Sequence, residues 1–309
     1  HALALGRVFG VRFHTAVFTN LTRDHLDFHV TMEEYFAAKS LLFTGAGAPP
    51  PRFAVINADD PSSRQIPMTS GTEVIRYGLN KRAGVRAVNI SSTIRGLRFD
   101  VEAGGETWPV ESNLVGRINV YNVLAAVSTG ISLGLSQDVI AAGIAKCEAV
   151  PGRFERVDAG QPFGVIVDYA HTDDALRNTI AVARGITSQR VITLFGCGGD
   201  RDRSKRPLMG QAAGENSDFV ILTSDNPRSE DPLAIMNDAL VGLRRFDTPH
   251  VIEPDRATAI RRAIREAREG DIVILAGKGH ETYQVLKDRT IDFDDRVVAR
   301  EVLHDFGYR

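Results

Sequence analysis

Four short apolar runs in the second half of the chain set the tightest limit on how it can fold: "GVIVDYA" (164–170), "RVITLFGC" (190–197), "DFVILTS" (218–224) and "DIVILAG" (271–277). Helical patterns near 173–184, 204–214, 231–243 and 255–269 fill the intervals. Strands apolar on both faces, alternating with amphipathic helices, require a parallel sheet covered on both sides and built from right-handed βαβ crossovers. The first half has another pattern. "TAVFTN" (15–20) and "FAVIN" (53–57) read as strands, and 31–43 reads as a helix with Thr31 and Glu34 at capping-box spacing. Segments 117–134 and 136–147 are two further helices, and short alternating stretches from about 73 to 112 predict a β-meander. The pattern changes after "AVPGRFERV" (149–157), which predicts a boundary near residue 150 and two α/β domains, 1–150 and 151–309.

Composition narrows the partners. With 43% apolar and 25% charged residues, 309 residues suffice for two globular cores. A formal net charge of −2 gives no broad basic field, so nucleic acid is not expected and an anionic partner must be held by local cations. No apolar stretch approaches the roughly 20 residues of a membrane helix, and the opening "HALALGRVFG" has no secretory pattern. The two cysteines, Cys147 and Cys197, lack metal-ligand spacing, consistent with a reducing cytoplasm.

All four strands of the second half end in loops rich in glycine or charge: "DYAHTDD" (168–174), "GCGGDRDRSKRP" (196–207), "SDNPR" (224–228) and "GKGHE" (277–281). In an open parallel sheet such loops share one edge and can surround one crevice. Their glycines would let backbone N–H groups approach an oxyanion, with Arg201, Arg203, Lys205, Arg206 and Lys278 as countercharge. The competing reading is a solvated charged face. For Asp225, Asn226, Pro227 and Arg228 the alternatives are a binding loop or an ordinary capped turn.

In the first half, Asp24, His25, Asp27 and His29 follow a strand and suit either a divalent cation or a helix cap. Lys39 has apolar neighbours. It is either a snorkelling lysine or a lysine of lowered pKa, able to add carbon dioxide and become a carbamate. Asn119 and Asn122 either cap a helix or address a nucleobase.

Taken together, the motifs resemble the Mur ligase family of peptidoglycan synthesis, and within it the UDP-N-acetylmuramoyl-tripeptide synthetases. The segments "HALALGRV", "FTNLTRDHLDFH", "YFAAKSLLF", "INADD", "GRINVYNVLAA", "VPGRFERV", "DYAHTDDALRN", "FGCGGDRDRSKRP", "SDNPRSEDP" and "AGKGHETYQ" fall in the family's order, whereas 73–112 matches loosely. The resemblance implies part of a central, P-loop-like ATP-binding domain, then a Rossmann-like C-terminal domain with a mainly parallel sheet that binds the amino acid. It implies a cytoplasmic, monomeric bacterial enzyme. ATP, with Mg2+, would phosphorylate the terminal carboxylate of UDP-N-acetylmuramoyl-L-alanyl-D-glutamate, and the amine of the third amino acid would attack the acyl phosphate.

By position, Lys39 resembles the family's carbamylated lysine and His25 its metal-side histidine. Asn119 and Asn122 resemble the adenine contacts, and Arg153 and Asp168 the ribose contacts, with Tyr169 and His171 close to the nucleotide. Arg7 corresponds to a contact for the nucleotide-sugar peptide. Arg201, Asp225, Asn226, Pro227, Arg228, Gly277 and Glu281 correspond to the amino-acid site. In the family the "DNPR" loop marks enzymes that add meso-diaminopimelate, whose second carboxylate a guanidinium can hold in a two-bond fork. Lysine offers only an ammonium there. The family's UDP-binding domain and "GTNGKT"-type phosphate loop do not occur in these residues, so the chain reads as a fragment expected to be inactive as a ligase alone. Other readings are a lysine-adding relative, a folylpolyglutamate synthetase-like ligase, or a non-catalytic module that binds amino acid or nucleotide.

Overall fold

The computed structural model describes residues 1–22, 26–147 and 150–309, with Leu26 and Asp27 described by backbone alone. It divides into two compact units, one of residues 1–92, 96–113 and 117–147, the other of 93–95, 114–116 and 148–309. No helix among the described residues is long and apolar enough to cross a membrane.

The first unit holds β1 (Thr15–Phe18), β2 (Phe53–Asn57), β3 (Glu73–Gly78), β4 (Val85–Thr93), β5 (Gly96–Ala103) and β6 (Glu106–Ser112), in that order across one sheet. Its helices are α1 (Leu26–His29), α2 (Met32–Thr44), α3 (Arg117–Ser132) and α4 (Gln137–Lys146). The Thr31 hydroxyl accepts the Glu34 N–H and caps α2, as the spacing predicts. The expected meander is only partly present. β3 pairs parallel with β2 over five residue pairs, and β4 continues parallel to β3, while β5 and β6 form an antiparallel pair. The connection 58–72 is long enough for a parallel crossover, whereas β5 and β6 meet through Gly104 and Gly105, both at positive φ as a tight hairpin turn requires.

The second unit holds β7 (Glu155–Arg156), β8 (Gly164–Asp168), α5 (Asp173–Arg184), β9 (Val191–Phe195), α6 (Lys205–Asn216), β10 (Phe219–Thr223), α7 (Pro232–Leu243), β11 (His250–Glu253), α8 (Arg256–Glu266), β12 (Ile272–Ala276), a β13–β14 hairpin (Tyr283–Val285, Thr290–Asp292) and α9 (Asp295–Asp305). The sheet order is β11-β10-β9-β12-β8-β7, parallel except for β7. From β8 the chain steps outward to β11 with α5, α6 and α7 on one face, where Leu176, Met209 and Leu240 pack with Ile166, Phe195 and Leu222. It then returns through α8 to β12, and Ile260 of α8 and Leu303 of α9 pack with Val165, Leu194 and Val273 on the other face. Right-handed crossovers force this change of face when the direction reverses. β12 comes home between β9 and β8, so neighbouring strand ends send their chains to opposite faces and a crevice opens at their carboxyl ends.

Candidate functional site

The loops after β8, β9, β10 and β12 line a crevice of about 380 Å³. Tyr169 and His171 come from the first loop, Arg201 and Lys205 from the second, Asp225, Asn226 and Arg228 from the third, Gly277 and Glu281 from the fourth. The structure thus brings together most of the second-half residues that the sequence singles out. Pro227 is buried beside them and presents its carbonyl to the neighbouring loop.

Two loops are zipped together under Arg228. The Gly199 N–H donates to the Asn226 carbonyl at 2.9 Å, and Arg228 Nη1 donates to the Gly199 carbonyl at 2.8 Å. The Ser229 hydroxyl donates to Asp200 at 2.6 Å, and the Asp200 N–H to Glu230 at 2.6 Å. Arg228 itself has φ 51°, a left-handed conformation that costs a residue with a Cβ about 1–2 kcal/mol. Its N–H donates to the Val285 carbonyl of β13 at 3.1 Å, which helps hold the bend. Strain kept at such a place is characteristic of a working residue. Because Nη1 is the only guanidinium nitrogen bonded among the described residues, the edge formed by Nε and Nη2 remains open to a carboxylate.

Several expected anion holders are already engaged within the chain. Lys278 is fully buried, and its ammonium donates to Glu281 at 3.2 Å and Asn226 at 3.3 Å. Arg206, also buried, is forked by Glu230 and bonded to Asp238, and Arg203 pairs with Asp238 too. Sequence cannot distinguish these cations from Arg201 and Lys205; burial sets Lys278 and Arg206 apart, and an ion pair with Asp238 engages the exposed Arg203. The acids are similarly arranged. Asp225 is 6% exposed, and burial pushes its carboxyl above the ordinary range while Arg256 and then Lys278 oppose that shift. Asn226 donates to Glu281 at 2.8 Å and accepts the Val285 N–H at 2.9 Å, so Glu281 is fixed over the crevice by two donors.

The loop after β8 has a different character. Tyr169 lies 4.6 Å from the His171 ring and 5.2 Å from that of His280, with the Arg153 guanidinium 5.2 Å from the Tyr169 centroid. Asp168 accepts from the Phe154 N–H (2.7 Å), the Ala170 N–H (2.9 Å) and the Thr179 hydroxyl (3.0 Å). Those three donors make Asp168 a local organiser and leave little of its carboxylate for a ribose.

The first-unit candidates lie apart in sequence and environment. Lys39 is half-buried with its ammonium 4.9 Å from the Tyr35 centroid, Asn122 donates to Asn119 at 2.8 Å, and Arg7 is exposed. His25 and Asp24 lie outside the described residues. Among the described residues no group of three or more His, Cys, Asp or Glu side chains is placed to hold a metal.

Bonds from Arg206 and from the Asp200 N–H hold the Glu230 carboxyl down at about 2, against an ordinary value of 4.5. The native state therefore gains from the ionised form above about pH 4.5 and loses that gain as pH falls toward 2. Between those limits the thermal midpoint should fall less steeply for Glu230→Gln than for the wild type; parallel curves would refute the linkage. Burial pushes the Cys197 thiol up to about 12, while Cys147 is exposed. At about pH 8 an aromatic disulfide reagent should modify Cys147 promptly and Cys197 only on unfolding. Equal rates would contradict the packing.

Fold and crevice define a two-unit α/β protein with a polar crevice at the carboxyl edge of its second sheet. Residues 1–130 match the Mur ligase middle domain and residues 152–279 the Mur ligase glutamate ligase domain, so the chain belongs to the Mur ligases. A Solibacter usitatus protein named UDP-N-acetylmuramoyl-L-alanyl-D-glutamate--2,6-diaminopimelate ligase is 70% identical over 308 residues, 100% of this chain and 62% of that protein. A ligase of the same name from Geobacillus thermodenitrificans is 49% identical over 99% of this chain and 63% of its own length. The chain thus spans less than two thirds of these relatives. A solved structure under that name superposes with TM-score 0.75 at 35% identity, covering 100% of this chain and 64% of that one. Folylpolyglutamate synthase from Thermotoga maritima shares the fold (TM-score 0.65, 17% identity, 96% of this chain and 62% of that one).

Proposed function

We propose that this chain carries the amino-acid-accepting part of an ATP-dependent ligase that joins meso-diaminopimelate to UDP-N-acetylmuramoyl-L-alanyl-D-glutamate. The observation that carries this reading is the pairing, in one crevice, of an open guanidinium edge on Arg228 with the buried carboxyl of Asp225 and the half-buried carboxyl of Glu281. A molecule with a carboxylate and an ammonium on the same terminal carbon meets both. Lysine would bring only its ammonium, leaving Arg228 unpaired and adding a like charge near it.

In the reaction, ATP supplies a phosphoryl group to the dipeptide carboxylate and the resulting acyl phosphate is attacked by the amine, releasing phosphate. The contribution of this chain's residues is placement: Arg228 and Arg201 hold carboxylate, Asp225 and Glu281 hold ammonium, and the attacking amine is thereby directed. Within the second unit we assign Arg153, Tyr169 and His171 to nucleotide contacts; within the first, we assign Asn119 and Asn122 to nucleotide contacts and Arg7 to the nucleotide-sugar peptide. Lys39 is assigned carbamate formation, in which its neutral amine adds to CO2 and releases a proton; a 13C signal from labelled bicarbonate, absent in Lys39→Ala, tests it. A cytoplasmic, monomeric enzyme with a domain boundary near residue 150 completes the proposal.

Calorimetric titration of this chain with meso-diaminopimelate, L-lysine and ATP tests the reading. Diaminopimelate should bind at least about tenfold more tightly than lysine. Equal affinity for the two amino acids would favour a lysine-adding ligase or a general amino-acid module, and no binding of either would end the proposal.

A further inference from the structure

Arg256 opens α8 and Asp295 opens α9, and both are buried, at 1% and 0% exposure. Arg256 Nε and Nη2 donate to the two oxygens of Asp295 at 2.8 and 2.6 Å. The same guanidinium reaches two main-chain carbonyls, Ser224 at 3.3 Å through Nη1 and Ala276 at 3.1 Å through Nη2. Ser224 immediately precedes Asp225 and Ala276 immediately precedes Gly277. The strands they terminate, β10 and β12, are not neighbours, because β9 runs between them and no ladder hydrogen bond joins them. One side chain therefore ties together the two walls of the crevice from below.

The spacing it sets is narrow. A Cβ on Gly277 would sit 2.6 Å from Asp225 Oδ2, and a Cβ on Gly196, at the end of the intervening strand, would sit 2.7 Å from the Thr223 carbonyl. Removing water from two opposite charges costs much of what their attraction returns, so a fully buried pair is weak evidence of a stabilising role. Its placement is informative instead. Two of the three N–H groups that Asp295 leaves unused meet backbone carbonyls adjoining crevice residues.

We propose that Arg256, oriented by Asp295, is a positioning residue of the amino-acid crevice, fixing the separation of the strand ends that bear Asp225 and Gly277. This rests on the diaminopimelate reading of the crevice. The charge acts too: Asp225 faces Arg256, Lys278, Glu281, Asp295 and the Cys197 thiol, and Arg256 is the foremost of the groups that oppose the rise burial imposes on its carboxyl.

Two variants separate geometry from charge. Arg256→Lys keeps the cation but cannot fork Asp295 and reach both carbonyls, so diaminopimelate affinity should fall about tenfold or more with its pH dependence unchanged. In the double variant Arg256→Gln/Asp295→Asn, neutral amides replace the ion pair, and the acid limb of the affinity profile should move toward neutral pH because Asp225 protonates sooner. Hydrogen exchange should quicken at 225–230 and 277–282 while β9 amides keep their protection. Affinity within about twofold of wild type in a folded Arg256→Lys chain, with an unshifted acid limb in the double variant, would overturn the proposal. Unfolding of both variants would also count against it, since the pair would then belong to the core. Failure of the wild-type chain to bind diaminopimelate would instead strike the underlying functional reading.

Discussion

Arg228→Ala should lose about 2–3 kcal/mol of diaminopimelate binding, a drop of roughly 30- to 150-fold by calorimetry. The size follows from removing a forked, charge-assisted contact at a half-buried site, where the carboxylate gives up water and finds no replacement. Lysine should behave differently. It has no second carboxylate to lose, and the variant removes a cation that opposed its ammonium, so its affinity should hold or improve and the preference between the two amino acids should collapse. Arg228→Lys should fall between, because an ammonium keeps the charge without the fork. Any affinity of the chain for ATP should stay within about twofold, since Arg228 is not among the residues assigned to the nucleotide. The variant should stay folded, because the backbone bond from residue 228 to Val285 does not need the side chain. If diaminopimelate affinity is unchanged while lysine binding also stays constant, the guanidinium does not select the ligand.

The strands of the second unit were readable because both of their faces are covered. Val165, Ile166 and Val167 are each fully buried, and so are Ile272, Val273 and Ile274 to within 2%, which makes their runs continuously apolar. Edge elements gave weaker signals. β11 is a four-residue edge strand of half-exposed residues, and β13 and β14 have three residues each, too short for a period to show. α9 did carry a usable pattern, with Asp294 as cap and Val298, Ala299, Val302 and Leu303 at helical spacing toward the core. The meander expectation failed at β3 because alternation within a strand reports one covered face, not the direction of its neighbour. In the crevice the loops were legible as clusters of glycine and charge, but the state of each charge was not. Arg201 and Arg206 stand five residues apart in one charge-rich segment, yet only Arg206, in the first turn of α6, is buried against Glu230 and Asp238, partners 24 and 32 residues away. Arg256 and Asp295 are separated by 39 residues and meet only through the fold. Long-range pairing of this kind leaves no local trace.

Gly199→Ala should weaken diaminopimelate binding on the order of 100-fold without touching any charged group. A Cβ at residue 199 would lie 1.9 Å from the Pro227 carbonyl oxygen and 2.7 Å from its carbon, closer than nonbonded atoms can approach. Both atoms belong to backbone, so no side-chain rotation can relieve the overlap; the β9 and β10 loops must separate by an ångström or so. That separation stretches the Gly199 N–H bond to the Asn226 carbonyl and withdraws the Gly199 carbonyl from Arg228 Nη1. Arg228 then loses the contact that aims its open edge into the crevice. Gly198→Ala supplies the comparison, because there the Cβ would meet Arg228 Nη1 at 3.0 Å, the far end of a flexible side chain that can shift by tenths of an ångström. Its effect should be several-fold smaller at most comparable stability. If the two alanines weaken binding equally, loop separation is not what matters, and the aim of Arg228 must be set from elsewhere than the zipped loops; if Gly199→Ala binds as tightly as wild type, the close approach of Gly199 to Pro227 has no part in recognition.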